Sequence, residues 1–108
     1  MLFVDGTKVL TKGTVTGLVA GKLTNEYFRP VVLLREKSNT EYGGSCRGYE
    51  KGEISSIKDF LEDCGVRVVG HNNAAGIALK KADLDSVIKK CNEKLPIDQL
   101  CTIHTVDW

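Results

Sequence analysis

The four residues Val31-Val32-Leu33-Leu34 constrain this chain more than any others. They follow Arg29-Pro30 with no polar break. Proline fixes its own backbone and pushes the residue before it out of the helical region, so a helix running toward Arg29 ends there. A continuous apolar run without alternation marks a strand covered on both faces. Such a strand sits inside a sheet, with other layers above and below it. The chain has 108 residues to supply those layers, enough for one domain with one core.

The remaining pattern supplies them in alternation. Residues 2–11 alternate loosely around Asp5-Gly6 and predict one or two short strands or a hairpin. After Lys12-Gly13-Thr14, the residues Val15, Leu18, Val19, Leu23 and Tyr27 fall at helical spacing and predict one apolar face. Gly17, Ala20 and Gly21 are small and predict close approach to another backbone. Residues 37–40 read as a turn, from which residues 41–47 return as an antiparallel strand, and Gly43-Gly44 predicts a bulge or a close neighbour within it. Ser56 and Asp59 resemble a capping box, opening a helix with Ile57, Phe60, Leu61 and Cys64 on one face and Gly65 as its stop.

Residues 66–69 and 77–79 read as strands on either side of the segment 70–76. Asp83 is expected to cap a last helix with Leu84, Val87, Ile88, Cys91 and Leu95 on one face. Pro96 closes that helix, and residues 100–106 alternate as a final strand. The expectation is a single α/β domain over residues 1–108, a mixed β-sheet flanked by about three helices in two or three layers. A chain ending on a strand-like segment is expected to have been cut from something longer, with residues 97–108 leading toward a next domain.

Composition narrows the class. With 42% hydrophobic and 27% charged residues, disorder and collagen-like or coiled-coil structure are disfavoured. No apolar run has the length of a membrane span, and no secretory pattern opens the chain, so a cytoplasmic protein without a membrane partner is expected. The net charge of +1 gives no overall attraction to nucleic acid, so any phosphate contact must be local. Cys46, Cys64, Cys91 and Cys101 lie far apart with no Cys-x-x-Cys pair, and are expected as reduced, mostly buried thiols.

Two segments could carry chemistry. In Gly70-His71-Asn72-Asn73-Ala74-Ala75-Gly76 the glycines permit close approach to main-chain amides, and consecutive N–H groups can form an anion-binding concavity beside His71. A tight turn with an ordinary histidine is the alternative. In Gly44-Ser45-Cys46-Arg47-Gly48 an arginine can project from a strand as a fork suited to phosphate or carboxylate, with Ser45 adding a hydroxyl. A solvated surface arginine is the alternative there. No metal-ligand cluster, P-loop or nucleophile elbow is present. The seven aromatic residues are scattered and predict no base-stacking platform.

Taken in order, Gly17-Leu18-Val19-Ala20, Arg29-Pro30, Gly44-Ser45-Cys46-Arg47 and Gly70-His71-x-x-Ala74-Ala75-Gly76 resemble the DHHA1 domain, the C-terminal lobe of DHH-family phosphoesterases. The resemblance spans roughly residues 12–95 and is nearest to the RecJ-type single-stranded-DNA-specific exonucleases. It departs at Val69, where the family has a first glycine, and around Lys12, where it often has a histidine. The resemblance implies a substrate-binding lobe with no metal of its own, whose parent enzyme carries Mn²⁺ or Mg²⁺ in an N-terminal DHH lobe and cleaves phosphodiesters. It implies substrate and phosphate contacts from Gly44, Ser45, Arg47, Gly70, His71, Asn72, Asn73, Ala74, Ala75 and Gly76. The implied partners are single-stranded nucleic acid, DNA ahead of RNA, and the DHH lobe of the same chain. This chain alone would then be inactive. The alternatives are the lobe of a DHH oligoribonuclease or nucleotide phosphatase, or a non-catalytic interaction module.

Overall fold

In the computed structural model, which describes residues 1–7, 16–49, 51, 54–95 and 102–105, the apolar run becomes the strand Val31–Glu36. Its first four residues are each no more than 1% exposed, so it is covered on both faces as expected. In chain order the elements are β1 (Leu2–Asp5), α1 (Thr16–Tyr27), β2 (Val31–Glu36), β3 (Glu41–Arg47), α2 (Ile57–Asp63), β4 (Arg67–His71), β5 (Ala74–Lys80), α3 (Leu84–Lys94) and β6 (Thr102–Thr105). A short 3₁₀ turn, Lys81–Asp83, leads into α3.

The strands form one six-stranded mixed sheet in the order β4-β5-β3-β2-β1-β6. β1 lies parallel to both β2 and β6, and the remaining neighbours are antiparallel. The chain is therefore a mixed α/β domain with three helices among its described residues. β1 pairs with β2 across a helix rather than with an adjacent hairpin partner; residues 8–15, which include Lys12 and Val15, lie outside the described residues.

Two cores sit on the two sides of the sheet. On one side Phe3, Val32, Leu34 and Cys46 meet Ile57 and Leu61 of α2 and Val87 and Cys91 of α3. On the other, Leu2, Val4, Val31 and Leu33 meet Ala20 of α1, with Val19 and Leu23 half-buried beside them. Ser56 caps α2 as its spacing predicts, accepting a hydrogen bond from the Asp59 amide at 3.3 Å, and the Gly65 amide closes the far end on Glu62 O at 3.0 Å. Asp83 stands at the start of α3 but its side chain makes no capping bond, because the 3₁₀ turn already carries the chain into the helix.

The predicted apolar face of α1 is corrected. Leu18 is 67% and Tyr27 51% exposed, whereas Ala20 and Thr24 are buried. The helix lies on the sheet through Ala20 and Thr24, flanked by the predicted Val19 and Leu23, and turns Leu18 and Tyr27 outward. Thr24 satisfies its hydroxyl by donating to Ala20 O at 2.9 Å. At Gly44 the close-neighbour expectation holds and the bulge does not. β3 pairs without interruption from Glu41 to Arg47, and a Cβ at Gly44 would run into the Leu33 carbonyl.

Cys46, Cys64 and Cys91 are buried thiols that form no disulfide among the described residues; Cys101 lies outside the described residues. Burial pushes the Cys46 thiol up to about 11, so it is a protonated core group at neutral pH and not a nucleophile. The folded state holds this proton more tightly than the unfolded chain, whose thiol ionises near 9.0. Stability from this group is complete below that value and falls as pH rises toward about 11. Chemical denaturation at a series of pH values should show a falling midpoint over that window, and a Cys46→Ala variant should lose part of that slope. Leu61→Ala, at a fully buried position, should cost about 2–5 kcal/mol in urea unfolding.

Candidate functional site

Side chains alternate across a strand, so register decides which predicted site residues share a face. His71 pairs with Ala74, Ala74 with Arg47, and Arg47 with Val31. These residues form one row across four adjacent strands on the face that carries α1. Two residues along, Val69, Gly76, Ser45 and Leu33 form the next row on the same face. Arg47 and His71 are two strand spacings apart, about 10 Å between backbones. Gly70, Ala75 and Gly44 fall in the intervening rows and face the opposite side, where Ala75 packs against the core. The structure thus brings Ser45, Arg47, His71, Ala74 and Gly76 together and turns Gly44, Gly70 and Ala75 away from them.

Helix α1, the one described helix on this face, packs over β2 and β3 and barely reaches β5. Beyond it the surface is floored by Gly43, Ser45, Ala74, Gly76 and Ala78, with Val69 68% exposed and His71 and Arg67 exposed at its margin. Small side chains leave a shallow open face. Its charges lean positive: Arg35 and Arg67 share a row with Gly43 and Ala78, Arg47 and His71 lie further along, and Glu41 pairs with Lys80 at the far end. The chain's net charge of +1 therefore conceals a local bias.

Arg47 has a built seat. Its Nη2 donates to Gly17 O at 3.1 Å, and a Cβ at Gly21 would stand 3.7 Å from its Cζ and one at Gly17 3.8 Å from Nη2. The small residues of α1 lie alongside the guanidinium, and a Cβ at either glycine would stand in ordinary contact with it. Arg47 Nε is buried without a hydrogen-bond partner, an unmet donor inside the seat.

The segment 70–76 is a tight hairpin, the tight-turn alternative of its sequence reading. Gly70 and His71 end β4, Asn72 and Asn73 turn, and Ala74 opens β5. β5 is bonded on both sides, by β3 and β4, so the amides from Ala74 to Gly76 serve the ladder and do not form the concavity expected of them. Gly70 has φ +139, and a Cβ there would stand 2.9 Å from Ala75 Cα; the hairpin requires glycine at this point. Asn73 is occupied structurally: Oδ1 accepts from the Ile57 amide at 3.3 Å and Nδ2 donates to Ser55 O at 3.3 Å. Asn72 is exposed, and its carbonyl accepts from the Lys58 amide at 3.0 Å and the Ser56 hydroxyl at 3.4 Å.

Sequence reasoning missed four residues. Lys58 brings its ammonium to Gly70 O at 3.4 Å beside the hairpin, and no linear pattern announces that. Arg35 and Arg67 join the open face through strand alternation, a signal readable by counting in twos from Arg47 and His71. Phe28, 69% exposed, meets Tyr49 only through the fold. Among the described residues no group of three or more His, Cys, Asp or Glu side chains is placed to hold a metal ion, and no helix is long and apolar enough to cross a membrane.

Fold and site together define an α/β lobe with one half-open, cation-lined sheet face. The chain is 44% identical over 99 residues to YorK of Bacillus subtilis (strain 168), whose name describes an SPbeta prophage-derived single-strand DNA-specific exonuclease. It is 34% identical over 84 residues to the single-stranded-DNA-specific exonuclease RecJ of Bacillus subtilis. These matches take in 87% and 73% of this chain but only 17% and 10% of the relatives. RecJ of Thermus thermophilus, solved in complex with Mg²⁺, superposes with a TM-score of 0.64 at 20% identity, over 98% of this chain and 16% of that one. No family model matches the chain. The chain is similar to proteins named as single-strand-DNA-specific exonucleases and spans a small part of their length.

Asn73→Ala removes two bonds that tie the hairpin to the start of α2. It should cost about 1–2 kcal/mol in urea unfolding while leaving the circular dichroism spectrum unchanged.

Proposed function

We propose that this chain is the substrate-binding lobe, DHHA1-like, of a single-strand-DNA-specific exonuclease whose metal-dependent hydrolysis is carried out with a separate N-terminal DHH lobe. The observation that carries the proposal is the row Arg47–Ala74–His71 on an open, small-residue sheet face in a chain related to YorK and RecJ. Its described residues supply cations and hydroxyls suited to anions and no cluster of metal ligands. The Mn²⁺ or Mg²⁺ ions of the parent, held by the other lobe, would supply an activated water and charge neutralisation for phosphodiester attack.

This chain's part is to bind and orient. The Arg47 guanidinium is fixed against α1, so its remaining donors meet a phosphate with little conformational freedom left to lose. His71 stands at the hairpin end and donates to a neighbouring phosphate or terminal nucleotide. The small floor of Ser45, Ala74 and Gly76 lets a backbone lie close to the sheet. A cytoplasmic setting fits such an enzyme. The lobe of a DHH oligoribonuclease or nucleotide phosphatase would prefer dinucleotides to long strands.

The isolated chain should bind single-stranded deoxyoligonucleotides weakly and with steep salt dependence. Arg47→Ala should weaken binding roughly 10-fold or more and lower the slope of log K against log salt by about 0.7. His71→Ala should produce a smaller loss. Fluorescence anisotropy at several salt concentrations measures both, and unchanged affinity in both variants would remove these residues from the site. Mn²⁺ added to the chain alone should give no cleavage.

A further inference from the structure

Beside the Arg47 seat, away from the open sheet face, the end of α1 and the segment after β3 enclose a groove of about 410 Å³. Gly21, Asn25, Phe28, Arg47, Tyr49 and Lys51 are among the residues that line it. Two are cations, two are aromatic, and among its described lining residues none is acidic. Sequence spacing gave no stacking platform, since Phe28 and Tyr49 stand 21 positions apart. The fold brings their rings to 6.4 Å between centroids at 67°, an edge-to-face pair.

Phe28 is held in this exposed position at a local cost. It is the one non-glycine residue with positive φ among the described residues, at +55, and its amide is tied to Thr24 O at 2.9 Å. A left-handed backbone is unfavourable for a bulky residue. An aromatic side chain that stays 69% exposed there gains little from the core in return. The unmet Arg47 Nε donor lies in a side chain of the same groove.

We infer that this groove is a nucleotide subsite, in which a base of single-stranded nucleic acid stacks on the Phe28–Tyr49 pair while its phosphate meets Lys51 and the Arg47 guanidinium. Base–aromatic stacking is tolerant of sequence because every base has a π-face, so the subsite reads no particular base. Asn25 adds an amide at the rim. The inference rests on the reading of the chain as a single-strand-binding lobe and extends the bound strand from the sheet face past Arg47 onto the end of α1.

Titration of the full chain with single-stranded deoxyoligonucleotides carrying 2-aminopurine tests it. Stacking should quench 2-aminopurine emission at one position of the bound strand. Phe28→Ala should remove that quenching and weaken binding roughly 5- to 100-fold, Phe28→Trp should keep both, and an abasic nucleotide at the quenched position should reproduce the loss in the unaltered protein. The abasic arm decides the matter even where a variant folds poorly. If Arg47→Ala loses binding while Phe28→Ala and the abasic strand bind like the originals, the subsite is overturned and the binding lobe stands. If the unaltered chain binds no single strand, both fall.

Discussion

One helix cannot cover a six-stranded sheet, and the structure depends on that mismatch. Strands spaced about 4.8 Å apart make a sheet roughly 24 Å wide, whereas a helix with its side chains is about 10 Å across. α2 and α3 share one side and close it over Ile57, Leu61, Val87 and Cys91. Among the described helices α1 alone lies on the other, where it packs over β2 and β3 and its Ala20 joins Leu2, Val31 and Leu33. The described helices leave β5 and β4 largely uncovered, and beside Gly43 and Ser45 of β3 these strands present the small residues Ala74, Gly76 and Ala78, with Val69 the one large apolar side chain. The face is built to be approached.

Arg47 sits at the boundary between the covered and open halves. A guanidinium there would be expensive to hold in place were its donors unmet and its stem unsupported. Gly17 and Gly21 leave the space, the Gly17 carbonyl accepts one donor, Nε stays buried and unmet, and the side chain lines the groove beyond. The glycines of α1 weaken the helix by their conformational entropy, and the packing of Ala20 and Thr24 against the sheet offsets this. Helix composition, arginine placement and sheet register are therefore one design: each makes sense only with the others.

Much of this was legible in the sequence where physics is local. The run Val31-Val32-Leu33-Leu34, the Ser56 cap and the Gly65 stop were readable because burial on both faces, capping and helix termination each act within a few residues. Apolar periodicity placed the α1 face correctly at Val19 and Leu23 but extended it to Leu18 and Tyr27, whereas the contact centres on the small Ala20 beside Thr24. For the segment 70–76, glycines and asparagines left a tight turn and an open concavity of amides both possible, and the structure takes the turn. Its actual constraint is the two-sided ladder of β5, which no local pattern announces. For the site, Arg47 and His71 stood out by their flanking glycines. Strand alternation then separated Ser45, Ala74 and Gly76 from Gly44, Gly70 and Ala75, and the Phe28–Tyr49 contact required the fold.

The central claim is that the half-open face, and not the α2–α3 side, meets a single strand of nucleic acid. Backbone amide chemical shifts of the labelled chain, followed during titration with a short single-stranded deoxyoligonucleotide, test it most directly. The account predicts shifts that cluster at Ser45, Arg47, His71, Ala74 and Gly76, with Val87, Cys91 and the exposed turns of α3 unmoved. Shifts centred on α2 and α3, or none at saturating strand, would contradict it.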